Sequence, residues 1–177
     1  MKYISVVVFL LISFVATAQQ VPELKETDTS ALIKASYIYN FAKNVDWNDP
    51  KYKTGNFVIS IMGGSSLHKE LVTKYNTKQI GSQQIEIRKL SKTLNISSCH
   101  VLYVGAEYCD ILPDIAEALK NEPTLIVADK EGALDKGAAL NFVIEEQRLK
   151  FELNMNSATK RNLFVGSTLK SLATKIQ

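Results

Sequence analysis

Two short, almost wholly apolar segments constrain the fold of this chain more than any other feature of its sequence. Residues 57–62 read FVISIM and residues 124–128 read TLIVA. Short apolar runs of this kind are typical of strands that are buried on both faces of a sheet. Two more strand-like segments and two helical segments alternate with them, over 84–88, 100–104, 67–75 and 111–119. Strands that alternate with helices predict a parallel sheet covered by helices on both faces.

The C-terminal part of the chain breaks this alternation. Residues 138–144 and 149–154 are both strand-like, and the polar segment 145–148 between them is typical of a hairpin turn. Two helical segments follow, and the second has Ser167 in the N-cap position. The predicted fold class is therefore α/β. We expect one domain over 30–177, with a single-layer, mostly parallel sheet, helices on both faces and a C-terminal antiparallel hairpin.

The N-terminus has the three parts of a secretory signal peptide. Lys2 is followed by an apolar run over 4–15 and then by Ala16-Thr17-Ala18, a small-residue cleavage site. The apolar run is shorter than the roughly 20 residues that a bilayer-spanning helix needs. We therefore predict a signal peptide over 1–18 that is removed on export. A flexible leader is expected over 19–29. Because the only long apolar run is removed with the signal peptide, the mature chain is expected to be soluble rather than membrane-spanning.

A helix is predicted from Ser30 to Trp47. Its apolar stripe at helical spacing consists of Ala31, Ala35, Ile38, Ala42 and Val45. Tyr37 and Phe41 lie one turn apart beside this stripe. The segment Asn48-Asp49-Pro50 is expected to end the helix, because proline cannot continue it.

Charge and cysteine content exclude several classes of protein. The 177 residues include 21 Lys and Arg against 18 Asp and Glu, and no basic run is longer than Lys160-Arg161, so no nucleic-acid partner is expected. Cys99 and Cys109 flank a predicted strand, whereas a disulfide needs Cα atoms within about 7 Å. Free thiols are therefore the favoured prediction, and a bond between the two cysteines is the alternative. The spacing of Cys and His does not match a zinc site, so no metal is predicted.

A possible ligand site lies where the buried strands end. Open α/β sheets bind ligands at the carboxyl ends of their strands. Gly63-Gly64-Ser65-Ser66 follows the first strand and precedes a helix, where free N–H groups can hold an anion. A tight turn with a serine N-cap is the simpler interpretation. Asp129 follows the fourth strand, where it either contributes to the same crevice or only shapes a turn.

The sequence contains no recognisable catalytic set. A phospho-receiver domain needs acidic residues after its first and third strands, but Met62-Gly63 and Val104-Gly105 occupy those positions. His68 and His100 are the only histidines, and no nucleophile-elbow motif is present. We therefore predict a protein that is not an enzyme and that has no catalytic residues and no cofactor.

Three segments together resemble the YfiR family of periplasmic proteins. The first is residues 33–43 (IKASYIYNFAK) with Val45-Asp46-Trp47, and the second is residues 99–104 (CHVLYV). The third is the tail, with 137–143 (GAALNFV), 149–154 (LKFELN) and 156–173. In this order, after a signal peptide, the set resembles the family over about residues 31–175.

The resemblance implies a non-enzymatic periplasmic regulator. The best-known members hold an inner-membrane diguanylate cyclase inactive by contacting its periplasmic part, and release of this repression raises cyclic-di-GMP and promotes biofilm formation. Some members carry disulfides linked to redox sensing. In this chain Cys99 matches the family motif, but no cysteine is found near the expected upstream partner position. Redox sensing through a disulfide is therefore not expected. A second departure from the family pattern is Asn48, which stands where the family has a proline after the tryptophan.

Partner-binding and ligand-binding residues follow from this interpretation. An exposed aromatic patch at Tyr37, Tyr39, Asn40 and Trp47 has the composition of an interface hot spot. Asn40 is otherwise expected to hydrogen-bond the local backbone. The partner is expected to be a diguanylate cyclase, or instead a histidine kinase or an outer-membrane receptor, and a homodimer is also considered. The other class is a periplasmic small-molecule binder, with a crevice formed by Gly63, Gly64, Ser65 and Asp129.

Overall fold

The computed structural model describes residues 26–177, in which five α-helices and nine β-strands are found. The helices are α1 (Glu26–Lys43), α2 (Ser65–Tyr75), α3 (Leu112–Ala118), α4 (Met155–Lys160) and α5 (Ser167–Leu172). The strands are β1 (Val45–Trp47), β2 (Phe57–Met62), β3 (Gln79–Ile80), β4 (Gln83–Leu90), β5 (Val101–Val104), β6 (Leu125–Ala128), β7 (Leu140–Glu145), β8 (Arg148–Leu153) and β9 (Leu163–Val165). Short 3₁₀ helices occur at Pro50–Lys53, Ala106–Ile111 and Leu134–Lys136. The predicted signal peptide over 1–18 lies outside the described residues.

Seven strands form one sheet in the order β3-β4-β2-β5-β6-β7-β8. The five strands from β4 to β7 in this order are parallel to one another, and β3 and β8 are antiparallel to their neighbours. The β7–β8 pair is the predicted C-terminal hairpin. The predicted fold class is therefore confirmed: a mostly parallel sheet with helices on both faces.

A layer of helices and buried side chains covers each face of the sheet. Phe41 of α1 and Leu71 of α2 are fully buried in one layer, together with Phe151 of β8. Leu112 and Ile115 of α3 are fully buried in the other layer. All six residues of β2 are buried, as the apolar run predicts for a strand between two layers. None of the helices within residues 26–177 is long and apolar enough to cross a bilayer.

The first helix is displaced from its predicted limits at both ends. It begins at Glu26, so its first turn lies inside the segment 19–29 that was predicted as a flexible leader. It ends at Lys43 rather than at Trp47, because Val45–Trp47 forms β1 and pairs antiparallel with β9. This pairing joins residues that are more than a hundred positions apart, which local periodicity does not reveal.

The last helix is capped by Gly166 and not by Ser167, so that part of the prediction is wrong by one residue. The Gly166 N–H donates to the Asn44 carbonyl oxygen at 2.8 Å, and a Cβ at Gly166 would lie 2.9 Å from that oxygen. Close approach of the two backbones therefore favours glycine at this cap.

The strand order contains one topological switch point. From β2 the chain passes through α2 to β4 on one side, and it then resumes at β5 on the other side of β2. Crevices outside the carboxyl ends of strands at such a point are the usual ligand sites of open α/β sheets. The carboxyl ends of β2 and β5 therefore lie at the usual ligand position of this type of fold.

Candidate functional site

A crevice of about 550 Å³ opens at the carboxyl ends of β2, β5 and β6. We call it the strand-end crevice, and it is lined by Ser30, Ala31, Lys34, Gly64, Ser65, Ser66, Leu67, Tyr103, Ala106, Glu107, Asp129 and Ile144. Gly64, Ser65 and Asp129 were predicted from the sequence to lie together, and the fold does bring these three residues to one crevice. Gly63, the fourth predicted residue, lies directly before them at the end of β2.

Lys34, Tyr103 and Asp129 form a hydrogen-bonded network in the strand-end crevice. Lys34, on α1, donates from Nζ to Asp129 Oδ2, and the Tyr103 hydroxyl donates to the same oxygen at 2.8 Å. The side chains of Lys34 and Asp129 are 16% and 22% exposed, so this ion pair is largely shielded from solvent. Burial, reinforced by the Asp129 carboxylate, raises the pKa of Tyr103 and keeps its hydroxyl protonated as a donor.

The start of α2 already holds a carboxylate from the same chain. Glu107 accepts a hydrogen bond from the Gly64 N–H at 3.0 Å. Gly63 has φ +84°, and a Cβ there would lie 2.5 Å from Glu107 Oε1, so glycine is required for Glu107 to approach. The α2 N-cap is Gly64, without a side-chain hydrogen bond, so the predicted serine cap is wrong. The anion position that the sequence suggested is thus taken by Glu107.

Trp47 does not contribute to an exposed patch. It is only 4% exposed, and its Nε1 donates to the Pro123 carbonyl oxygen at 2.6 Å. Its ring packs edge-on against Phe57, with centroids 5.1 Å apart. The prediction of an exposed aromatic patch is therefore corrected at this residue, because strand β1 turns Trp47 into the core.

The other three predicted partner-binding residues lie on α1, and only Asn40 among them is exposed. Tyr37 is half-buried: its ring packs against the core residues Phe41, Phe142 and Phe151, and its hydroxyl donates to the Leu149 carbonyl oxygen at 3.1 Å. Tyr39 is half-buried and stacks on Tyr75, with ring centroids 4.6 Å apart. Asn40 is exposed and donates to the Ser36 carbonyl oxygen at 3.0 Å, the local backbone bond that was expected.

His100 is buried in the core, and His68 lies on α2. His100 accepts a hydrogen bond from the Val58 N–H at Nδ1, and its Nε2 lies 2.8 Å from the Tyr52 carbonyl oxygen, to which it donates. Burial lowers the pKa of His100, and the neutral ring therefore links two backbone segments. Burial, with Lys89 nearby, lowers the pKa of His68. Among residues 29–177, no group of three or more His, Cys, Asp and Glu side chains is placed to hold a metal ion.

Both cysteines are buried free thiols in the layer that contains α3. Burial raises the pKa of Cys99 to about 11. Burial also raises the pKa of Cys109, whose Sγ donates to the Gly105 carbonyl oxygen at 3.4 Å. Because the thiolate is the reactive form, both side chains are poorly reactive in this fold.

Sequence reasoning did not identify Lys34, Tyr103 or Glu107 as members of the crevice. A tyrosine in an otherwise apolar buried strand is a usable signal, because its hydroxyl needs a hydrogen-bond partner. Lys34 lies within α1, and Glu107 lies in the 3₁₀ helix that follows β5. Nothing in their local sequence distinguishes them from solvated residues.

Comparison with known protein families assigns the chain to one of them. A model of the YfiR/HmsC-like family matches residues 31–174. The chain belongs to the YfiR/HmsC-like family. Members of this family are periplasmic proteins and are regulators rather than enzymes.

A solved structure supports the fold. A conserved domain protein from Vibrio cholerae O1 biovar eltor matches with a TM-score of 0.60 and 11% identity, over 83% of this chain. The match spans 60% of the Vibrio protein's own chain. At this identity the likeness extends to the fold alone. No curated protein matches the chain significantly.

Proposed function

We propose that this chain is a non-enzymatic periplasmic regulator that binds the periplasmic part of an inner-membrane diguanylate cyclase and represses it. The observation that carries the proposal is the YfiR/HmsC-like match over nearly all of the described residues. Repression needs no chemistry, because a regulator that binds one conformation of its partner more tightly shifts the partner toward that conformation.

The strand-end crevice supports a binding role rather than a catalytic one. Its ionisable groups are already hydrogen-bonded within the chain: Lys34 and Tyr103 both donate to Asp129, and Glu107 accepts from the Gly64 backbone N–H. A catalytic base or nucleophile needs a substrate atom within hydrogen-bond reach of an available lone pair. In this crevice the described polar groups instead fix α1 and α2 against the ends of the sheet.

The outward side of α1 is the surface that we assign to the partner. We call it the α1 docking face, and it consists of Ile33, Tyr37, Tyr39 and Asn40. Ile33 is an apolar side chain left 39% exposed on a helix whose opposite side is buried in the core. The exposed Asn40 shares this side of the helix, the half-buried Tyr37 and Tyr39 lie on its two flanks, and tyrosine is enriched at binding hot spots.

In-cell photo-crosslinking tests this assignment directly. A photoreactive amino acid replaces Asn40 in one variant and Leu94 in a control. Leu94 is 50% exposed, in the loop after β4 whose neighbouring residues pack in the opposite layer. We expect a diguanylate cyclase to be crosslinked from position 40 and not from position 94. Equal crosslinking from both positions, or none, would reject the α1 docking face.

A charge introduced into the face gives a functional readout of the same proposal. Ile33→Arg places a cation on the α1 docking face, and Leu94→Arg makes the same change on the opposite layer. We expect Ile33→Arg to raise cellular cyclic-di-GMP to the level of a deletion strain, with unchanged thermal unfolding, while Leu94→Arg behaves as wild type. In the crosslinking experiment, recovery of a histidine kinase or an outer-membrane receptor from position 40 would support a regulator but reject the cyclase as its partner. Recovery of a second copy of this chain would indicate a homodimer.

A small-molecule binder is the second candidate, and the strand-end crevice is the observation that favours it. Its volume of about 550 Å³ and its position at the switch point suit a small ligand. A panel of metabolites tested by thermal unfolding would reveal such a ligand as a concentration-dependent rise in the unfolding temperature. Loss of that rise in Ser66→Trp, which places a large side chain at an exposed position of the crevice lining, would locate the ligand there.

A further inference from the structure

A second cavity lies apart from the strand-end crevice, between α3, α4 and the 3₁₀ helix Leu134–Lys136. We call it the Arg161 cavity; its volume is about 660 Å³, and none of its lining residues lines the strand-end crevice. Four basic and two acidic side chains line it: Lys120, Lys136, Lys160, Arg161, Glu117 and Asp135. The lining therefore carries an excess of two positive charges.

Arg161 is the most deeply placed cation of this cavity, and it is only 7% exposed. Its Nη1 donates to the carbonyl oxygen and the hydroxyl of Ser157, at 3.1 and 2.8 Å, and its Nη2 donates to the Ala116 carbonyl oxygen at 3.2 Å. These bonds tie the end of α4 to α3. All three acceptors are neutral, so they orient the guanidinium without neutralising its charge.

The guanidinium is incompletely satisfied by the described residues. Arginine has five N–H donors, and the buried Nε–H of Arg161 has no acceptor among residues 29–177. No carboxylate of these residues lies within 4.0 Å of Arg161. Burial lowers the pKa of Arg161, the direction expected for a cation withdrawn from water without a counter-ion. A buried charge is normally paired, and none of the described carboxylates pairs with this one.

The rim of the Arg161 cavity supplies further positive charge. Lys120 is paired with Glu117, but Lys136 and Lys160 have no ion-pair partner among residues 29–177. Gly137, which follows Lys136, has φ +103°, and a Cβ there would lie 2.5 Å from Ala116 Cβ. The Gly137 carbonyl oxygen also accepts the Ser157 hydroxyl at 2.8 Å. The backbone is thus held close to α3, and Lys136 lines the same cavity as Arg161.

We propose that the Arg161 cavity binds a small oxyanion, a carboxylate or a phosphate group, with Arg161 as its main ligand and Lys136 and Lys160 at its rim. A planar guanidinium is the group that binds such anions with paired hydrogen bonds. The anion supplies the negative charge that the described part of the chain does not place beside Arg161. This site is separate from the α1 docking face, and it gives the regulator a place to sense an anionic small molecule.

Titration of the mature full-length chain with two anions tests the proposal. Inorganic phosphate and citrate are added at constant ionic strength set with sodium chloride, and thermal unfolding is followed. We expect a saturable rise in the unfolding temperature with at least one anion, and the anion that gives it distinguishes a phosphate from a carboxylate ligand. In Arg161→Lys, which keeps the charge but loses the planar fork, we expect the Kd to rise by about tenfold.

A rim variant keeps the test valid if Arg161→Lys fails to fold. Lys136→Gln/Lys160→Gln removes two exposed charges, and we expect it to raise the Kd by roughly fivefold without changing the unfolding temperature in chloride. Lys69→Gln/Lys92→Gln removes two exposed charges elsewhere and should leave the Kd unchanged. The absence of a saturable rise with either anion would overturn the proposal, as would equal effects of the two double variants.

Discussion

Two regions of this molecule hold largely buried cations, and they differ in how each charge is balanced. In the strand-end crevice, Lys34 of α1 donates to Asp129, which also accepts the hydroxyl of Tyr103. In the Arg161 cavity, the guanidinium contacts only neutral oxygens, and no described carboxylate lies within ion-pair distance. The chain completes the first site with its own residues, whereas the second has room and charge for a component from outside.

This difference distinguishes a buried charge that has a structural role from one that is available to bind a ligand. A buried ion pair that is complete within the chain is costly to break, because removal of one partner leaves the other uncompensated. A buried cation without a counter-ion already has this unfavourable free energy in the folded protein, so its removal does not add to it. Breaking the two sites one residue at a time should therefore have unequal effects on stability.

The largest effect is expected from Asp129→Ala. This change removes the acceptor of both Lys34 and Tyr103, and it leaves a largely buried ammonium and a buried hydroxyl without a partner. We expect the free energy of unfolding to fall by about 3 kcal/mol in urea denaturation. Asp135→Ala is the matched control in the Arg161 cavity, where the aspartate is exposed, and it should stay within about 0.5 kcal/mol of wild type. Similar losses in both variants would remove the distinction between the sites.

A smaller effect is expected when the two cations are compared directly. Lys34→Met leaves the Asp129 carboxylate without its cation, whereas Arg161→Met leaves only neutral acceptors and removes an uncompensated charge. We expect Lys34→Met to lose about 1.5 kcal/mol more than Arg161→Met, measured by urea denaturation in chloride buffer without added phosphate or carboxylate. An Arg161→Met variant that is the less stable of the two would show that the guanidinium acts mainly as a clamp between α3 and α4.

Much of the fold could be predicted because its strands carry the signal in their own composition. The run at Phe57–Met62 forms a strand that is buried at every position, and the turn between β7 and β8 falls in the predicted polar segment. The end of α1 could not be predicted, since Val45–Trp47 leaves the helix to pair with Leu163–Val165. The hydrogen bonds that stabilise β1 come from a strand far away in the sequence, so the local sequence pattern does not indicate them.

The candidate sites were only partly accessible to sequence reasoning for the same reason. Gly64 and Asp129 could be assigned to one crevice, because both follow predicted buried strands. The role of Lys34 depends on how α1 crosses the ends of the sheet, and that of Arg161 depends on how α4 meets α3. Trp47 was predicted as an exposed residue because aromatic composition resembles both a hot spot and a core, and only its place on β1 distinguishes the two.

The smallest effect is expected from Tyr103→Phe, and its pH dependence tests whether the hydroxyl belongs to the crevice network. Loss of the hydrogen bond to Asp129 should lower the free energy of unfolding by about 1 kcal/mol at neutral pH. Because burial raises the pKa of Tyr103 above its ordinary value of 10.0, the folded state holds this proton more tightly than the unfolded state does. The resulting stability is fully present below pH 10 and is lost as the pH rises further.

Urea denaturation between pH 9 and pH 11 separates this effect from general alkaline destabilisation. Wild type should lose stability above pH 10, and Tyr103→Phe should lose less, since the residue that it replaces no longer titrates. Tyr52, whose pKa burial and Glu122 raise to about 12, contributes a parallel loss that remains in the variant. An unchanged slope in Tyr103→Phe would mean that the hydroxyl ionises as freely in the folded crevice as in the unfolded chain, which is incompatible with a closed Lys34–Asp129–Tyr103 network.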